Sequence, residues 1–154
     1  MIIGDSSALI ALAVIDKLDL LEKLFNKLYI PQAVYDELIM IEKPYGIELN
    51  IFLKNKIKQV RKIQYTSNLG KGELEAISLY HQIQSDFLLI DDMKAKKFAI
   101  NTGAKAIGSL GVLIIAKQKG LIKEVKPLVE KLENSQIYIS KKLIKKVLLL
   151  CDET

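Results

Sequence analysis

Short apolar runs alternate along the chain with longer segments in which apolar residues recur every three or four positions. The runs at residues 1–3, 28–30 and 87–90 are too short for helices and are typical of buried strands. Residues 7–26 show the helical period on both sides of Asp16 and Lys17, which predicts two helices or one broken helix. This alternation predicts an α/β fold, a three-layer α/β/α sandwich with a mainly parallel central sheet and the first strand at its centre.

The same patterns place the remaining elements. Pro31 is expected at the first position of a helix that runs to Ile41, and residues 43–46 are expected to form a turn. Residues 59–63 alternate like an exposed strand. Further elements are expected at residues 51–53 (a short helix), 73–80 (helix), 94–102 (helix), 105–108 (strand), 110–119 (helix), 124–134 (helix) and 140–150 (helix).

Acidic residues follow two of the predicted strands. Asp5 comes directly after the first apolar run, with Ser6 or Ser7 as the expected N-cap of the next helix. Asp91 and Asp92 follow the strand at residues 87–90. The carboxyl ends of parallel strands meet at one edge of a sheet, where ligands bind, so these acids are candidates for a shared site. The alternative for Asp5 is a capping role alone.

Two helices carry further candidate acids. Glu37 lies on or beside the apolar stripe that Val34 and Leu38 define, although an edge glutamate would show the same pattern. Glu73 and Glu75 fall in the first turn of the helix at residues 73–80, where the helix dipole alone favours acids. Glu73 shares a face with Ile77 and Tyr80, and it is therefore the better candidate to point inward.

Composition limits the class of protein and of metal site. The 154 residues are expected to form one domain spanning 1–154, and no segment is apolar for the roughly 18 residues of a membrane span. No basic region precedes the first apolar run, and the only cysteine is Cys151, so we expect a cytoplasmic protein without disulfides. With one cysteine and one histidine, His81, a zinc site of the usual kind is excluded. A metal would therefore be held by carboxylates, which favours Mg²⁺ or Mn²⁺.

The charge balance suggests a nucleic-acid partner. The net charge is +5 and the pI about 9.1, and a basic surface with a few clustered acids suits an enzyme that binds phosphates and holds metal. The alternative is that the lysines are only solvated, which is the expected state of the basic run at residues 54–62.

Five motifs follow one another along the chain: Asp-Ser-Ser-x-Leu-Ile-x-Leu (residues 5–12), Pro-x-x-Val-x-x-Glu-Leu (31–38), Leu-Gly-x-Gly-Glu-x-Glu-Ala-Ile (69–77), Leu-Ile-Asp-Asp (89–92) and Ile-Gly-Ser-Leu-Gly-Val-Leu (107–113). In this order they resemble, over nearly the whole chain, the PIN domain, a ribonuclease fold that depends on magnesium or manganese. The likeness extends to the VapC-like ribonuclease toxins and is closest to a PIN-like subfamily with the Gly-Glu-x-Glu-Ala-Ile motif.

The resemblance implies a site. The family's acidic quartet maps onto Asp5, Glu37, Glu73 and Asp91 as catalytic residues and metal ligands, with Asp92 as a further or alternative ligand. Glu73 stands where the family usually has an aspartate, and Glu75 remains open as its equivalent. Ser7 corresponds to the small polar residue beside the first aspartate. In place of an arginine after the last acid, the chain has three lysines expected to bind nucleic acid: Lys94, Lys96 and Lys97.

The implied function is hydrolysis of RNA phosphodiester bonds by a metal-activated water. The resemblance also implies the toxin of a toxin–antitoxin pair, with a small antitoxin protein and a homodimer as expected partners. The surplus of apolar residues in the early helices is the expected docking surface: Leu18, Leu21, Leu24 and Phe25.

Several other classes compete with a nuclease. The leading alternative is a PIN-like module that binds RNA or protein without cutting. A receiver domain is disfavoured because its acidic pair follows the first strand, and a phosphatase opening with Asp-x-Asp because position 7 is serine. A purely structural protein would leave the placement of the acids to coincidence.

Overall fold

The computed structural model describes residues 1–63 and 65–154. Its strands are β1 (Ile2–Gly4), β2 (Leu28–Pro31), β3 (Ile57–Lys58), β4 (Phe87–Leu89) and β5 (Ala106–Ile107). All pairings are parallel, and the sheet order β3-β2-β1-β4-β5 places β1 at the centre. The predicted central strand is confirmed, and the sheet is parallel throughout the described residues.

Helices cover the sheet on both faces. Successive side chains of a strand point to opposite faces, and Ile2 and Ile3 are both fully buried. The predicted three-layer α/β/α sandwich is therefore confirmed. The helices are α1 (Ser6–Val14), α2 (Asp19–Phe25), α3 (Gln32–Ile39), α4 (Pro44–Leu53), α5 (Lys71–Gln82), α6 (Met93–Asn101), α7 (Ser109–Gln118), α8 (Lys126–Glu133) and α9 (Lys141–Leu150).

The strand register brings the carboxyl ends of β1 and β4 together. Gly4 is paired with Leu89, and the N–H of Asp5 donates to the Leu89 carbonyl at 2.9 Å. Asp5 and the Asp91–Asp92 pair therefore leave the sheet at the same edge.

Several predicted boundaries shift. The N-cap of α1 is Asp5 in extended conformation, so the expectation of Ser6 or Ser7 as N-cap is wrong. Pro31 ends β2, and α3 begins one residue later. The turn expected at residues 43–46 is instead the first turn of α4. Pro44 takes the helical position whose missing N–H costs nothing, and Gly46 packs closely on the Ile41 carbonyl.

The strand expected at residues 59–63 lies two residues earlier, as β3. Its register follows β2, with Ile30 opposite Ile57 and Pro31 opposite Lys58. The alternating residues that follow form no strand in the described structure. The position of β3 is therefore determined by its pairing with the buried strand β2, and the alternation of apolar and polar residues does not predict it.

The early helices are packed into the core. Leu18, Leu21 and Phe25 are buried and Leu24 is half-buried, so the expectation that they offer spare apolar surface is wrong. Large exposed apolar side chains occur instead on α4, where Ile47 is 69% and Ile51 64% exposed.

In the part of the chain that the structure describes, no helix is both long and apolar enough to span a membrane.

Candidate functional site

Asp5 is a buried carboxylate at the central edge of the sheet. It is 3% exposed, and its Oδ1 has no hydrogen-bond partner among the described residues. The pKa of Asp5 is raised from 3.8 to about 7, mainly by burial and in part by the neighbouring carboxylates of Glu73, Glu37 and Asp92, while the hydrogen bond from the Ser6 N–H opposes the rise. An isolated buried acid of this kind is unstable in its charged form and favours a cation beside it.

Glu37 reaches the site from α3. Residues of α3 facing the core, such as Val34 and Leu38, are buried, whereas Glu37 is on the exposed side. Its Oε2 accepts a hydrogen bond of 2.5 Å from the Ser6 hydroxyl at the start of α1. Its Oε1 lies against the backbone of Gly72, where an added Cβ would be only 2.3 Å away. Glu37 thus lies between the first turns of α1 and α5.

Glu73 stands in the first turn of α5. Its Oε1 accepts the Gly70 N–H at 3.1 Å, which satisfies one of the free donors at the helix start. Burial raises the pKa of Glu73, and the charges of Asp92 and Glu37 add to the rise, while the Gly70 N–H and Lys94 oppose it. Glu73 therefore shares an electrostatic environment with Asp5, Glu37 and Asp92.

The two acids after β4 have different surroundings. Both oxygens of Asp91 are engaged by Ser109 at the start of α7, one by its N–H and one by its hydroxyl, each at 2.7 Å. Asp92 is exposed and caps α6 by accepting the Ala95 N–H at 2.9 Å. The charge of Asp92 acts on both Asp5 and Glu73. The structure thus places Asp92 with the other acids and turns Asp91 toward α7.

Glu75 faces away from this group. Its side chain is 12% exposed, its Oε1 accepts the Ala33 N–H at 3.2 Å, and its Oε2 lies 4.0 Å from Lys71 Nζ. Glu75 joins α5 to the start of α3. Of the two glutamates that the sequence leaves open, Glu73 is the one that lies with Asp5.

The three lysines of α6 are not equivalent. Lys94 is exposed and close enough to Glu73 to lower its pKa. Lys96 is half-buried and points toward Gly108, where an added Cβ would lie 3.2 Å from Lys96 Nζ and 2.8 Å from Asp91 Oδ1. Lys97 is exposed. Lys94 is therefore the lysine placed beside the acidic group.

The donors of this group suit a hard divalent cation. Asp5, Glu37, Glu73 and Asp92 offer only carboxylate oxygens, and Asp5 Oδ1 is buried with no partner in the part of the chain that the structure describes. Within residues 1–63 and 65–154, however, no three acidic, histidine or cysteine side chains converge as an ion requires. Glu37 is held beside Asp5 by the Ser6 hydroxyl, whereas Glu73 and Asp92 are turned onto backbone donors of the chain. The residue types fit the ion, and side-chain rotation would have to complete the site.

Two residues of the site escape prediction from the sequence. Ser6 contacts Glu37, whereas Ser7, the serine that the resemblance selects, is exposed. Adjacent serines give no pattern that distinguishes them. Gly72 makes room for the Glu37 carboxylate, and its only signal is that a glycine stands inside the first turn of a helix, where it lowers helix stability.

The family comparison agrees with this architecture. The family model described as a PIN domain matches residues 1–153. No curated protein matches the chain significantly.

Proposed function

Because this chain belongs to the PIN-domain family, whose members are generally nucleases, we propose that it is a ribonuclease that hydrolyses RNA phosphodiester bonds with Mg²⁺ or Mn²⁺. The observation that carries the proposal is Asp5, a buried carboxylate with three acidic neighbours and with one oxygen that has no partner in residues 1–63 and 65–154. Such a carboxylate is costly in a purely structural role.

The acids have distinct parts in this proposal. Asp5 is the central ligand, and Glu37, Glu73 and Asp92 would complete the ion's surroundings. A bound divalent cation supplies an activated water and neutralises charge on the attacked phosphate. Lys94, which is exposed and acts on Glu73, would contact an RNA phosphate, while Asp91 holds the start of α7.

Cleavage of a labelled single-stranded RNA tests the proposal. Activity is expected with Mg²⁺ or Mn²⁺, none in EDTA, and a loss of at least about a hundredfold in kcat/KM in Asp5→Asn. Substitution of residues that only orient metal ligands already lowers metal affinity or activity ten- to a hundredfold. Asparagine keeps the size of the side chain, so circular dichroism is expected to show a folded variant. Equal cleavage by folded Asp5→Asn would contradict the assignment of Asp5.

A second candidate function is a PIN-like module that binds RNA or protein without cutting. The observation in its favour is that Glu73 and Asp92 are bonded to backbone donors of the chain. Calorimetric titration with Mn²⁺ separates the two functions, because only the nuclease requires the ion.

The biological context that we propose is a cytoplasmic toxin silenced by a small antitoxin. An arginine or lysine of the antitoxin would pair with the carboxylates and take the place of the cation. Expression of the chain is then expected to arrest growth, and co-expression of a small adjacent gene product to relieve the arrest. Harmless overexpression of folded protein, without RNA decay, would favour the binding module.

A further inference from the structure

The hydroxyl of Ser6 links two elements of the site. It donates to Glu37 Oε2 at 2.5 Å, across 31 positions of the sequence. A hydroxyl bonded to a charged carboxylate makes a short, strong bond. Ser6 directly follows Asp5, so this bond holds the Glu37 carboxylate beside the first residue after the central acid.

Packing alone does not fix the Glu37 carboxylate. Glu37 is on the exposed side of α3, and its side chain has several rotatable bonds whose freedom is lost when it is held in place. On its other side the Glu37 carboxylate packs against the backbone of Gly72. A Cβ added to Gly72 would lie 2.3 Å from Glu37 Oε1 and 3.0 Å from Glu37 Cδ. The carboxylate therefore lies between a hydrogen-bond donor and a bare stretch of backbone.

The helix that carries Glu37 is itself fixed to the site. Glu75 of α5 accepts the Ala33 N–H at the start of α3. This bond sets where α3 begins relative to α5, and the Ser6 bond then sets where the Glu37 side chain ends. The neighbouring Ser7 is exposed, whereas Ser6 is half-buried.

We propose that Ser6 is a positioning residue that orients the Glu37 carboxylate beside Asp5, so that the two are arranged before a divalent cation binds. This inference rests on the proposed metal-dependent function. Ser6 touches neither the ion nor RNA in this account and acts only through Glu37.

Titration of the parent and serine variants with Mn²⁺ tests the inference by direct binding. Ser6→Ala is expected to weaken Mn²⁺ binding ten- to a hundredfold, as loss of a group that orients a ligand does. Ser6→Thr keeps the hydroxyl that orients Glu37. Its affinity for Mn²⁺ is therefore expected to lie within about threefold of the affinity of the parent. Ser135→Ala removes a serine that bonds the Leu132 carbonyl at the end of α8, and it serves as the matched control.

A double-mutant cycle in EDTA measures the contact without metal. Ser6→Ala and Glu37→Gln are expected to change the free energy of unfolding non-additively, because each removes the same bond. Additive changes would overturn the inference. Coupling in EDTA together with unchanged Mn²⁺ binding by Ser6→Ala would also overturn it, while leaving the nuclease proposal intact.

Two outcomes separate the inference from its premise. A larger loss of Mn²⁺ binding in Ser7→Ala than in Ser6→Ala would overturn the assignment to Ser6 alone. No Mn²⁺ binding by the parent protein would overturn both the metal-dependent function and the role of Ser6 in it, and the cycle in EDTA would then show a bond with only a structural effect.

Discussion

Asp5 combines burial with incomplete hydrogen bonding. Its carboxylate has lost most of its water, its Oδ1 has no partner among the described residues, and three other carboxylates act on it. Each of these effects favours the neutral acid, and a cation would reverse all of them. The metal-free protein is therefore expected to be sensitive to pH near neutrality.

The first prediction concerns this sensitivity. The pKa of Asp5 is about 7 in the folded chain against 3.8 ordinarily, so between these values the folded state binds more protons than the unfolded state. Stability from this group is full at low pH and is lost as pH rises to about 7. In EDTA, the unfolding free energy of Asp5→Asn relative to the parent is expected to rise by about 2–3 kcal/mol from pH 5 to pH 8.

Urea unfolding at the two pH values measures this difference. The comparison with the parent cancels the contributions of acids that do not act on Asp5, whereas Glu73, Glu37 and Asp92 are coupled to it and contribute to the measured difference. If the unfolding free energies of Asp5→Asn and the parent differ by the same amount at pH 5 and pH 8, the pKa of Asp5 is not raised and its burial does not disfavour the charged form.

The second prediction separates Asp91 from Asp92. Asp91→Asn removes the negative charge that accepts two hydrogen bonds from Ser109. The unfolding free energy is expected to fall by about 1.5–3 kcal/mol, and the affinity for Mn²⁺ is expected to change little. Asp92→Asn is expected to retain stability, since asparagine is a good N-cap, and to lose Mn²⁺ affinity tenfold or more. Paired unfolding and calorimetric measurements check both. The reverse pattern would return the fourth ligand to Asp91.

At the scale of elements, the site depends on how α3 meets α5. Glu75 binds the start of α3, and Gly72 lets the Glu37 carboxylate lie against the backbone of α5. Helix α5 also carries both a structural glutamate, Glu75, and a candidate ligand, Glu73, within one turn. Residues two positions apart lie about 200° apart around a helix axis, so Glu73 and Glu75 face different partners.

The third prediction tests the space at Gly72. An added Cβ meets only the carboxylate end of the Glu37 side chain, which can turn aside, so Gly72→Ala is expected to fold with equal or higher stability, since alanine favours helix by up to about 1 kcal/mol. The displaced carboxylate is expected to weaken Mn²⁺ binding at least about tenfold. Gly70→Ala is the matched control, because its Cβ would meet only Glu73 Oε1 at an ordinary 3.5 Å. Unchanged Mn²⁺ binding in Gly72→Ala would contradict the contact.

Sequence pattern predicts those elements whose burial is regular. The strands at residues 28–30 and 87–90 and the two early helices lie where their apolar periods place them, and β1 is central as predicted. The pattern misplaces β3 because the position of this strand depends on its register with β2, which is a long-range property. The prediction of a turn at residues 43–46 is wrong because Pro44 starts a helix there.

The sequence predicts which groups of acidic residues lie near the candidate site, but it does not predict which member of each group faces Asp5. Which of Asp91 and Asp92, or of Glu73 and Glu75, faces Asp5 depends on rotations of about 100° per helical residue and on caps that only the fold defines. The Ser6 and Gly72 contacts depend on the distance between helices far apart in sequence.

At the scale of the whole molecule, the parallel sheet gathers acids at one edge of an otherwise basic protein. The net charge of +5 resides largely on exposed lysines, which suits a polyanionic ligand. A surface groove of about 840 Å³ lies elsewhere, between α4 and the turn that joins α1 to α2. It exposes Ile47 and Ile51, one helical turn apart, beside both acidic and basic side chains such as Glu48 and Lys17.

The fourth prediction concerns this groove, which we propose as the homodimer face. Because it carries apolar side chains and charges of both signs, a second copy offers complementary groups. Light scattering after size exclusion is expected to give a dimer for the parent and a monomer for Ile51→Lys. Leu149→Lys, at a site of similar exposure on α9 (65% against 64%), is expected to remain a dimer. A dimeric Ile51→Lys would place the interface elsewhere, and a monomeric parent would contradict the homodimer.

The fifth prediction, and the most direct test of the central claim, is an anomalous difference map from a crystal soaked in Mn²⁺. A peak is expected about 2.0–2.6 Å from an Asp5 oxygen, with Glu37 beside it and Glu73 or Asp92 rotated to join it. A well-ordered site without a peak at Asp5, in a crystal whose soaked protein still binds Mn²⁺ in solution, would contradict the account.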